Sequence, residues 1–431
     1  MRIVIATWGS HGDLNPAVGL AAGLHARGHE AIVATSPMYR QDVERAGVGF
    51  HPVRPDIDPH DKAVLARIMD ARHGTEFLFT KVLMPALQDA AADLRPAIAD
   101  ADLVVSHPAT FAVPVLAEQL GTRWASMVLA PMSFFSVHDV PVFPPAPWLR
   151  RVAERSPLLS RALVAVARRT TRSWTAPVAA LRAASGLAPG VTPIFEGQHS
   201  PELVLALFSR LLAAPQADWP DHVVVAGAIP YNGASASGLP AELEAFLAAG
   251  PPPVVFTLGT SAVGTPGRFY QESLAAVREV GCRAVLLIGQ QGASGLTSPL
   301  PDGVIGVEYA SHALLFPRAS AVVHQGGAGT LHHALAAGRP MIVVPYAHDQ
   351  PDNADRARRL GVARVISPNR YRGRRVVEAL RTVLDDPAMT AAAARVAAAV
   401  RVEDGVRTAC DAIERLLAHP VARQPSSAQV T

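Results

Sequence analysis

One stretch near the middle of the second half constrains the fold of this chain more than any other. Residues 324–350 read HQGGAGTLHHALAAGRPMIVVPYAHDQ. An apolar run at residues 320–323 precedes them and predicts a buried strand. Residues 331–337 then favour a helix, and residues 341–344 favour a second buried strand. Strand, glycine turn, helix and strand in this order predict a crossover unit of a parallel β-sheet.

The glycines of this turn indicate a binding site for phosphate. Gly326, Gly327 and Gly329 let backbone N–H groups approach a ligand closely, and the N-terminus of the following helix adds partial positive charge. His324 ends one predicted strand, and the pair Asp349-Gln350 follows the next. All of these residues should therefore lie on one edge of the sheet, where open α/β folds bind their ligands.

The same alternation of strands and helices runs through the whole chain. Residues 1–35 predict a first strand–loop–helix–strand unit, with its helix at residues 14–27, and the pattern restarts at residue 254. The 431 residues are too many for one ordinary core. We therefore predict the α/β class with two Rossmann-like, doubly wound domains. The first domain is expected at 1–230, a Pro/Gly/Ser-rich linker at 231–250, and the second domain at 251–418, with its last helix packed back on the first domain. A disordered tail is expected at 419–431.

Composition excludes several classes of function. The net charge is +3, and no basic stripe with interleaved aromatic residues appears, so we expect no nucleic-acid partner. The two cysteines, Cys282 and Cys410, are far apart, which favours a reducing compartment. No run of about 20 apolar residues occurs, and the N-terminus predicts a strand, not a signal peptide. We expect a cytoplasmic protein without stable membrane insertion, either a monomer or a homodimer.

Two motifs carry a resemblance to a known family. Residues 9–13 read Gly-Ser-His-Gly-Asp, and residues 324–330 read His-Gln-Gly-Gly-Ala-Gly-Thr. With residues 309–350 as a whole, they resemble the inverting family 1 glycosyltransferases of the UDP-glycosyltransferase superfamily, and most of all its bacterial branch that acts on natural products and sterol-like acceptors. The resemblance covers nearly the whole chain. It implies the GT-B fold, in which two Rossmann-like domains face each other across a cleft.

The resemblance also assigns donor-binding roles in the second domain. Tyr309 stands where the family usually has a tryptophan that stacks on the nucleotide base, and His312 stands where a glutamine contacts the base or ribose. Asp349 and Gln350 match the pair that binds the hydroxyl groups of the sugar. His332 replaces a frequent ribose-binding glutamate, which leaves the ribose contact open. The residues implied to hold the diphosphate are His324, Gly326, Gly327, Ala328, Gly329 and Thr330, with Thr260 or Ser261 donating from the opposite loop.

The general base is less certain from the sequence. Many relatives have a histidine three residues before a proline, and this position is Asp13 here. Asp13 is therefore the first candidate, and His11 is the second. The acid that normally orients a histidine base would align with His107, which predicts a swapped pair of Asp13 and His107 in which the imidazole raises or relays the basicity of the carboxylate. The alternative is that His107 only caps its strand.

We predict no cofactor and no metal ion. A helix N-terminus and glycine N–H groups can stabilise a departing diphosphate, which lessens the need for Mg²⁺. Two Asp-x-Asp triplets, at 56–58 and 100–102, fit surface turns better than metal ligands.

The expected reaction is transfer of a sugar, with inversion, from a UDP or dTDP donor to a hydroxyl group of a lipophilic small molecule. Gln350 favours glucose as that sugar. Two alternatives remain: a GT-B enzyme of different reaction, such as a sugar-nucleotide epimerase or a transferase for lipid-linked intermediates, and a non-catalytic partner that binds nucleotide sugars.

Overall fold

The computed structural model describes residues 1–58, 61–231, 238–289, 296 and 299–419, and excludes the side chain of Ser261. Most of the predicted tail at 419–431, and part of the predicted linker at 231–250, lie outside the described residues. The described strands form two sheets. Their bounds are β1 (Arg2–Ala6), β2 (Glu30–Thr35), β3 (Gly49–Pro52), β4 (Leu103–Ser106), β5 (Trp124–Val128), β6 (Val204–Ala206), β7 (Val223–Val225), β8 (Val254–Thr257), β9 (Ala284–Leu287), β10 (Val304–Val307), β11 (Ala321–His324), β12 (Met341–Val343) and β13 (Ala363–Val365).

Helices connect these strands. Their bounds are α1 (His11–Ala26), α2 (Arg40–Arg45), α3 (Lys62–Ile68), α4 (Gly74–Phe77), α5 (Leu87–Ala99), α6 (Ala112–Leu120), α7 (Leu149–Ala153), α8 (Pro157–Thr171), α9 (Ala176–Ala184), α10 (Ala241–Ala248), α11 (Gly259–Ala262), α12 (Phe269–Val280), α13 (His312–Leu315), α14 (Ala328–Ala337), α15 (Gln350–Arg359), α16 (Arg374–Asp385), α17 (Pro387–Val400) and α18 (Gly405–Ala418).

Both sheets are parallel and doubly wound, as the sequence predicts. The first has the order β3-β2-β1-β4-β5-β6-β7, and the second has the order β10-β9-β8-β11-β12-β13. Alternate residues of a strand pack on opposite faces: Ile3 and Ile5 belong to one buried cluster, and Val4 and Ala6 to another. Each sheet is therefore covered by helices on both faces, which explains the continuous apolar runs of the strands.

The chain order reverses once in each sheet, and these points position the site. In the first sheet β1 pairs with β4, and Ala6 lies opposite Ser106. In the second sheet β8 pairs with β11, and Thr257 lies opposite His324. The loops that leave these paired strands diverge to opposite sides of the sheet, which opens a crevice at its carboxyl edge.

Two helices begin earlier than the sequence predicts. We expected a helix from residue 14, but α1 begins at His11, since Ser10 and Asp13 cap its first turn reciprocally. We also expected a helix from residue 331, but α14 begins at Ala328. Gly327 adopts an extended conformation just before it, with φ −60° and ψ 143°. Asp13 and Thr330 thus lie in first helical turns and not in loops.

The last helix lies against the first domain. Ala409, Cys410 and Ile413 of α18 share a buried cluster with Leu14 and Val18 of α1. Arg27, just after α1, pairs with Asp411 at 2.6 Å and with Glu414 at 2.8 Å.

Candidate active site

The N-terminus of α14 has no side-chain cap and is open at its surface. Its N-cap is Gly327, which has no side chain to accept a hydrogen bond, and its first turn reads Ala328, Gly329, Thr330 and Leu331. The first N–H groups of a helix have no acceptor within the helix itself. A methyl group added at Gly329 would meet no atom within 4 Å, so the surface is open there. These N–H groups are therefore available to an anionic ligand.

His324 lies beneath this turn and not in contact with the open surface. The side chain is fully buried. Its Nδ1 accepts a hydrogen bond from the N–H of Gly326 at 3.0 Å, and its Nε2 lies 3.3 Å from the Sδ of Met341. Burial lowers the pKa of His324 to about 3, so the ring is neutral. His324 thus supports the turn from below, and its predicted contact with the diphosphate stays a prediction.

Gly326 is required by close packing. Its φ is +92°, and a Cβ there would lie 2.9 Å from Cγ1 of Val343 and 3.1 Å from the backbone oxygen of Gln350. Its N–H is already used by His324. Gly326 thus shapes the turn, and the phosphate contact predicted for this glycine and for residues 327–330 stays a prediction.

Gln350 is also buried beneath the site. Its Oε1 accepts hydrogen bonds from the N–H of Tyr346 at 2.8 Å and of Ala347 at 3.3 Å. The acceptor end of the amide therefore holds this turn, and the predicted contact of Gln350 with the sugar hydroxyl groups stays a prediction. The preference for glucose that rests on this contact stays a prediction as well.

Asp349 is linked to the phosphate turn through a residue that the sequence analysis missed. The Nδ2 of Asn353 donates to Oδ2 of Asp349 at 2.7 Å and to the backbone oxygen of Gly326 at 3.0 Å. Asn353 follows Asp349 by four residues on α15, a spacing that places both side chains on one helix face. That spacing was the available signal.

The pKa of Asp349 in the second domain depends on a charge of the first domain. Burial and, second to it, the negative charge of Asp13 raise the pKa of Asp349 to about 7, although the hydrogen bond from Asn353 acts to lower it. Helix α1 also contacts α11 and α14 of the second domain. The candidate base and the candidate sugar-binding carboxylate therefore face each other across the cleft.

Asp13 and His107 are in contact. The Nε2 of His107 lies 3.4 Å from Oδ1 of Asp13, whose side chain is 33% exposed. The N–H of Ala109 donates to Nδ1 of His107 at 3.3 Å, so in a neutral ring Nε2 carries the proton and faces Oδ1 of Asp13. A donor does not make a carboxylate a stronger base. The geometry fits orientation or relay, and the predicted effect of His107 on the basicity of Asp13 stays a prediction.

His11 has a different partner. Its Nε2 lies 3.3 Å from Oδ2 of Asp42, and its ring packs edge-on against Tyr39 with centroids 5.0 Å apart. The side chain is 42% exposed. His11 and Asp13 thus lie in the same helical turn but have different partners, since His11 contacts a carboxylate and Asp13 contacts an imidazole.

The nucleotide end of the site is partly exposed. Tyr309 is 56% exposed, and Thr260 is exposed in α11. His312 stacks on Phe316 at 4.4 Å and meets His333 edge-on at 5.8 Å. The side chain of Ser261 lies outside the described residues.

His332 makes no open contact for a ribose. Its Nδ1 donates to the backbone oxygen of Ala328 at 2.7 Å, and its Nε2 accepts from the N–H of Ser209 at 3.3 Å. Burial lowers the pKa of His332 to about 4, which agrees with a neutral ring. The residue at the position of the family's glutamate therefore ties α14 to the first domain.

The first domain contributes aromatic surface that the sequence analysis did not identify. Trp8, Phe79 and Phe135 are partly buried against one hydrophobic cluster. Phe143 stacks on Phe135 with centroids 6.3 Å apart. Trp8 comes directly before the loop that leads to Asp13, and Phe135 and Phe143 lie in the loop after β5. Both loops leave the carboxyl edge of the sheet.

Among the described residues, neither Asp-x-Asp triplet is assembled with further metal-ligand side chains. Asp56 accepts a hydrogen bond from Ser36, and Asp102 accepts one from the N–H of Arg2 at 2.8 Å. Across the part of the chain that the structure describes, no group of three or more His, Cys, Asp or Glu residues is arranged to hold a metal ion. In the same residues, no helix is long and apolar enough to cross a membrane.

Comparison with known families covers both domains. Residues 3–125 match the glycosyltransferase family 28 N-terminal domain, and residues 271–405 match the erythromycin biosynthesis protein CIII-like C-terminal domain. The O-mycaminosyltylonolide 6-deoxyallosyltransferase of Streptomyces fradiae is 33% identical over 96% of this chain and 97% of its own. The vancomycin aglycone glucosyltransferase of Amycolatopsis orientalis is 30% identical over 84% of this chain and 85% of its own.

Solved structures agree with the fold. The calicheamicin glycosyltransferase CalG4 superposes with a TM-score of 0.71 at 18% identity, covering 97% of this chain and 99% of that one. The glycosyltransferase of kitacinnamycin superposes with a TM-score of 0.69 at 21% identity, covering 96% and 98%. With two parallel doubly wound domains, an open helix N-terminus on one side of the cleft and a near full-length relative at 33% identity, the chain belongs to the GT-B glycosyltransferases.

Proposed function

We propose that this glycosyltransferase moves a sugar from a UDP or dTDP donor to a hydroxyl group of a lipophilic natural product, with inversion and without a metal ion. The observation that carries the proposal is the pairing of two features across one cleft. One is the uncapped N-terminus of α14. The other is Asp13, held by His107 at 3.4 Å and close enough to Asp349 to raise its pKa.

The first domain, residues 1–230, would bind the acceptor. An acceptor hydroxyl group has a pKa far above neutral, so a base must take its proton as the new bond forms. Asp13 would accept that proton at Oδ1, while Ser10 holds Oδ2 through its N–H at 2.8 Å. His107 would orient the carboxylate. The partly buried aromatic side chains Trp8, Phe79 and Phe135 supply apolar surface for a lipophilic acceptor.

The second domain, residues 251–418, would bind the donor. Tyr309 would stack on the base, with His312 beside it, and Asp349 would accept hydrogen bonds from sugar hydroxyl groups. When the acceptor oxygen bonds to the anomeric carbon, the bond to the diphosphate breaks and its electron pair leaves with the phosphate oxygen. The N–H groups of residues 328–330, with Thr260 or Ser261 opposite, would stabilise that negative charge.

This arrangement supports the proposals of inversion and of metal independence. A base on one domain and a leaving-group site on the other favour a single displacement from the face opposite the leaving group. The helix N-terminus supplies charge stabilisation that Mg²⁺ would otherwise provide. We also keep the family 1 assignment, the natural-product and sterol-like branch and the monomeric or dimeric state as proposals.

The relatives support a natural-product acceptor and leave the sugar open. The name of the Streptomyces fradiae relative specifies a 6-deoxyallosyl group and a mycaminosyltylonolide acceptor, whereas the Amycolatopsis orientalis relative is named for glucose and the vancomycin aglycone. We propose the shared class, a sugar placed on a complex natural product, for this chain.

The test is a panel of UDP- and dTDP-sugars, including glucose and 6-deoxyhexoses, screened for protection against thermal unfolding. A donor that binds raises the melting temperature by mass action. The protecting donors are then incubated with hydroxylated macrolides and glycopeptide aglycones, with and without EDTA. We expect an inverted anomeric configuration by NMR and undiminished turnover in EDTA. Protection by no member of the panel, or a retained configuration, would contradict the proposal.

A further inference from the structure

A cluster of buried charges joins the loop after β5 to helix α15. Arg356 is 2% exposed, and Asp352 is fully buried. The Nε of Arg356 donates to Oδ2 of Asp352 at 2.6 Å. The Nη1 of the same residue pairs with Asp139 of the loop and donates to the backbone oxygen of Leu212 at 2.9 Å. One arginine of the second domain is therefore bound by two segments of the first.

A second arginine completes the connection from the other direction. Arg150 of α7 is buried and donates through Nε to the backbone oxygen of Val140 at 2.9 Å. Its guanidinium group pairs with Asp355 of α15. The N–H of Val142 donates to Oδ1 of Asp352 at 2.9 Å. Loop residues 139–142 thus contact α15 through both side-chain and backbone groups.

The charges of the cluster compensate one another. Burial lowers the pKa of Arg150, and the nearby positive charge of Arg359 lowers it further. Burial would also lower the pKa of Arg356, but Asp352 and Asp139 outweigh it, and the pKa of this guanidinium group is raised. Buried ion pairs cost desolvation and often add little net stability compared with apolar packing. What such a cluster supplies is a defined geometry.

The cluster lies between the two substrate sides of the cleft. The loop that it holds also carries Phe135 and Phe143, which stack on each other. The helix that it holds begins at Asp349, its N-cap, and carries Asn353, which bonds both Asp349 and Gly326. The acceptor wall and the sugar-binding carboxylate are therefore anchored to the same few side chains.

We propose that Asp139, Arg150 and Arg356 are positioning residues that set the acceptor loop against the donor-sugar helix. This inference rests on the proposed function, because it assigns the loop to the acceptor and α15 to the sugar. The three residues touch neither substrate. They fix the distance between the acceptor hydroxyl group and the anomeric carbon, on which the rate of transfer depends steeply.

The test uses the Asp139→Asn variant, which keeps the shape of the side chain and removes its charge. We expect KM for the acceptor to rise about tenfold and the transfer rate to fall about tenfold. KM for the donor, and the slow hydrolysis of the donor in the absence of acceptor, should stay within about twofold of the wild-type values. The ratio of transfer to hydrolysis therefore falls, which a general loss of stability would not produce.

The matched control is Asp411→Asn. Asp411 pairs with Arg27 at 2.6 Å and joins α18 to the first domain at a site remote from both substrates. We expect this variant to keep the wild-type ratio of transfer to hydrolysis. Equal changes in the parameters of both substrates, or an unchanged ratio in Asp139→Asn, would overturn the proposal.

A second variant covers failure of the first to fold. Arg150→Lys keeps the positive charge but cannot reach Val140 and Asp355 together, since an ammonium group lacks the planar fork of a guanidinium group. The same fall in ratio is expected, and an unchanged ratio would refute the proposal. Failure of the proposed function is distinguishable, because wild-type protein would then neither transfer nor hydrolyse any sugar of the panel.

Discussion

The two domains use the same local structure, a strand followed by a glycine-bearing loop and a helix, in opposite ways. In the first domain the N-terminus of α1 is satisfied internally: Ser10 Oγ accepts from the N–H of Gly12 at 3.1 Å, and Asp13 Oδ2 accepts from the N–H of Ser10 at 2.8 Å. In the second domain the N-terminus of α14 starts at Gly327, and no side-chain oxygen caps it among the described residues.

This difference separates the two chemical tasks. At α1 the partial positive charge of the helix is met by the protein's own carboxylate, which is held in place with Oδ1 directed to His107. At α14 the same partial charge is left for a ligand. A self-capped helix suits a base that must be fixed, and an uncapped helix suits a diphosphate that must enter and leave.

The largest effect should come from removing the base at the capped helix. Asp13→Asn keeps an oxygen that can accept from Ser10 but cannot take the proton of the acceptor. We expect kcat to fall by about 10³-fold, within the range of general-base catalysis. Protection by the nucleoside diphosphate against thermal unfolding should persist, because the donor site lies on the other domain.

His11→Asn is the matched control for that variant. His11 lies two residues away in the same turn, with Asp42 at 3.3 Å as its partner. We expect less than a tenfold loss of kcat. If His11→Asn lost more activity than Asp13→Asn, the assignment of the base would be reversed.

The second-largest effect should come from adding a side-chain cap to α14, so that its N-terminus is capped as that of α1 is. In Gly327→Asp the new carboxylate would accept from the N–H groups of the first turn and repel a diphosphate. The backbone conformation of Gly327 suits a capping residue, and the nearest atom to a new Cβ is the flexible Nε2 of Gln325, at 2.9 Å. We expect about 100-fold weaker binding of UDP or dTDP by calorimetry, without loss of thermal stability.

Gly327→Ala separates the cap from the added volume. It introduces the same Cβ without an acceptor, and we expect affinity for the nucleoside diphosphate within about fivefold of wild type. Similar losses in the two variants would mean that the site needs space and not open N–H groups.

The third effect concerns the link between Asp13 and the strand edge. His107→Ala removes the ring that contacts Oδ1 of Asp13. We expect kcat to fall about 30-fold with little change in KM for the donor, as for a group that positions or relays through the base. Steady-state kinetics with saturating donor measure this. Unchanged turnover would show that His107 only caps its strand.

The sequence predicted the fold class because its signals are local. Apolar runs marked the central strands of both sheets, and glycine spacing marked the turn before α14. The contact of Asp13 with His107 was also predictable, because parallel strands β1 and β4 deliver both residues to one edge.

What the sequence could not supply was the direction in which each side chain points. His324 and Gln350 have the right positions in the motif, but both side chains turn inward and hydrogen-bond the backbone of the turns they support. Asp139 and Arg356 pair with each other although they are distant in sequence. Their pairing across the cleft depends on how two domains dock, which periodicity and motif spacing do not encode.

The smallest expected effect concerns the electrostatic interaction between Asp13 of α1 and Asp349, the N-cap of α15. Asp349 has a pKa of about 7, raised by burial and by Asp13. A carboxyl group whose pKa is raised on folding contributes stability at pH values below its unfolded pKa of about 4. That contribution is lost as the pH rises through about 7. Asp349→Asn removes this dependence. The melting temperature of the variant minus that of wild type should therefore be larger at pH 8 than at pH 5, and we call this increase the gain.

The size of this gain is about 1 kcal/mol, or 1–2 °C, because the carboxyl group is partly exposed and water screens much of the shift. Differential scanning calorimetry of the ligand-free proteins at both pH values measures it. The same comparison in the Asp13→Asn background should give a smaller gain, since one of the two causes of the raised pKa is then absent. A gain that is equal in both backgrounds would mean that the charges of the two domains do not interact, and that the cleft is wider in solution than the pairing of α1 with α14 requires.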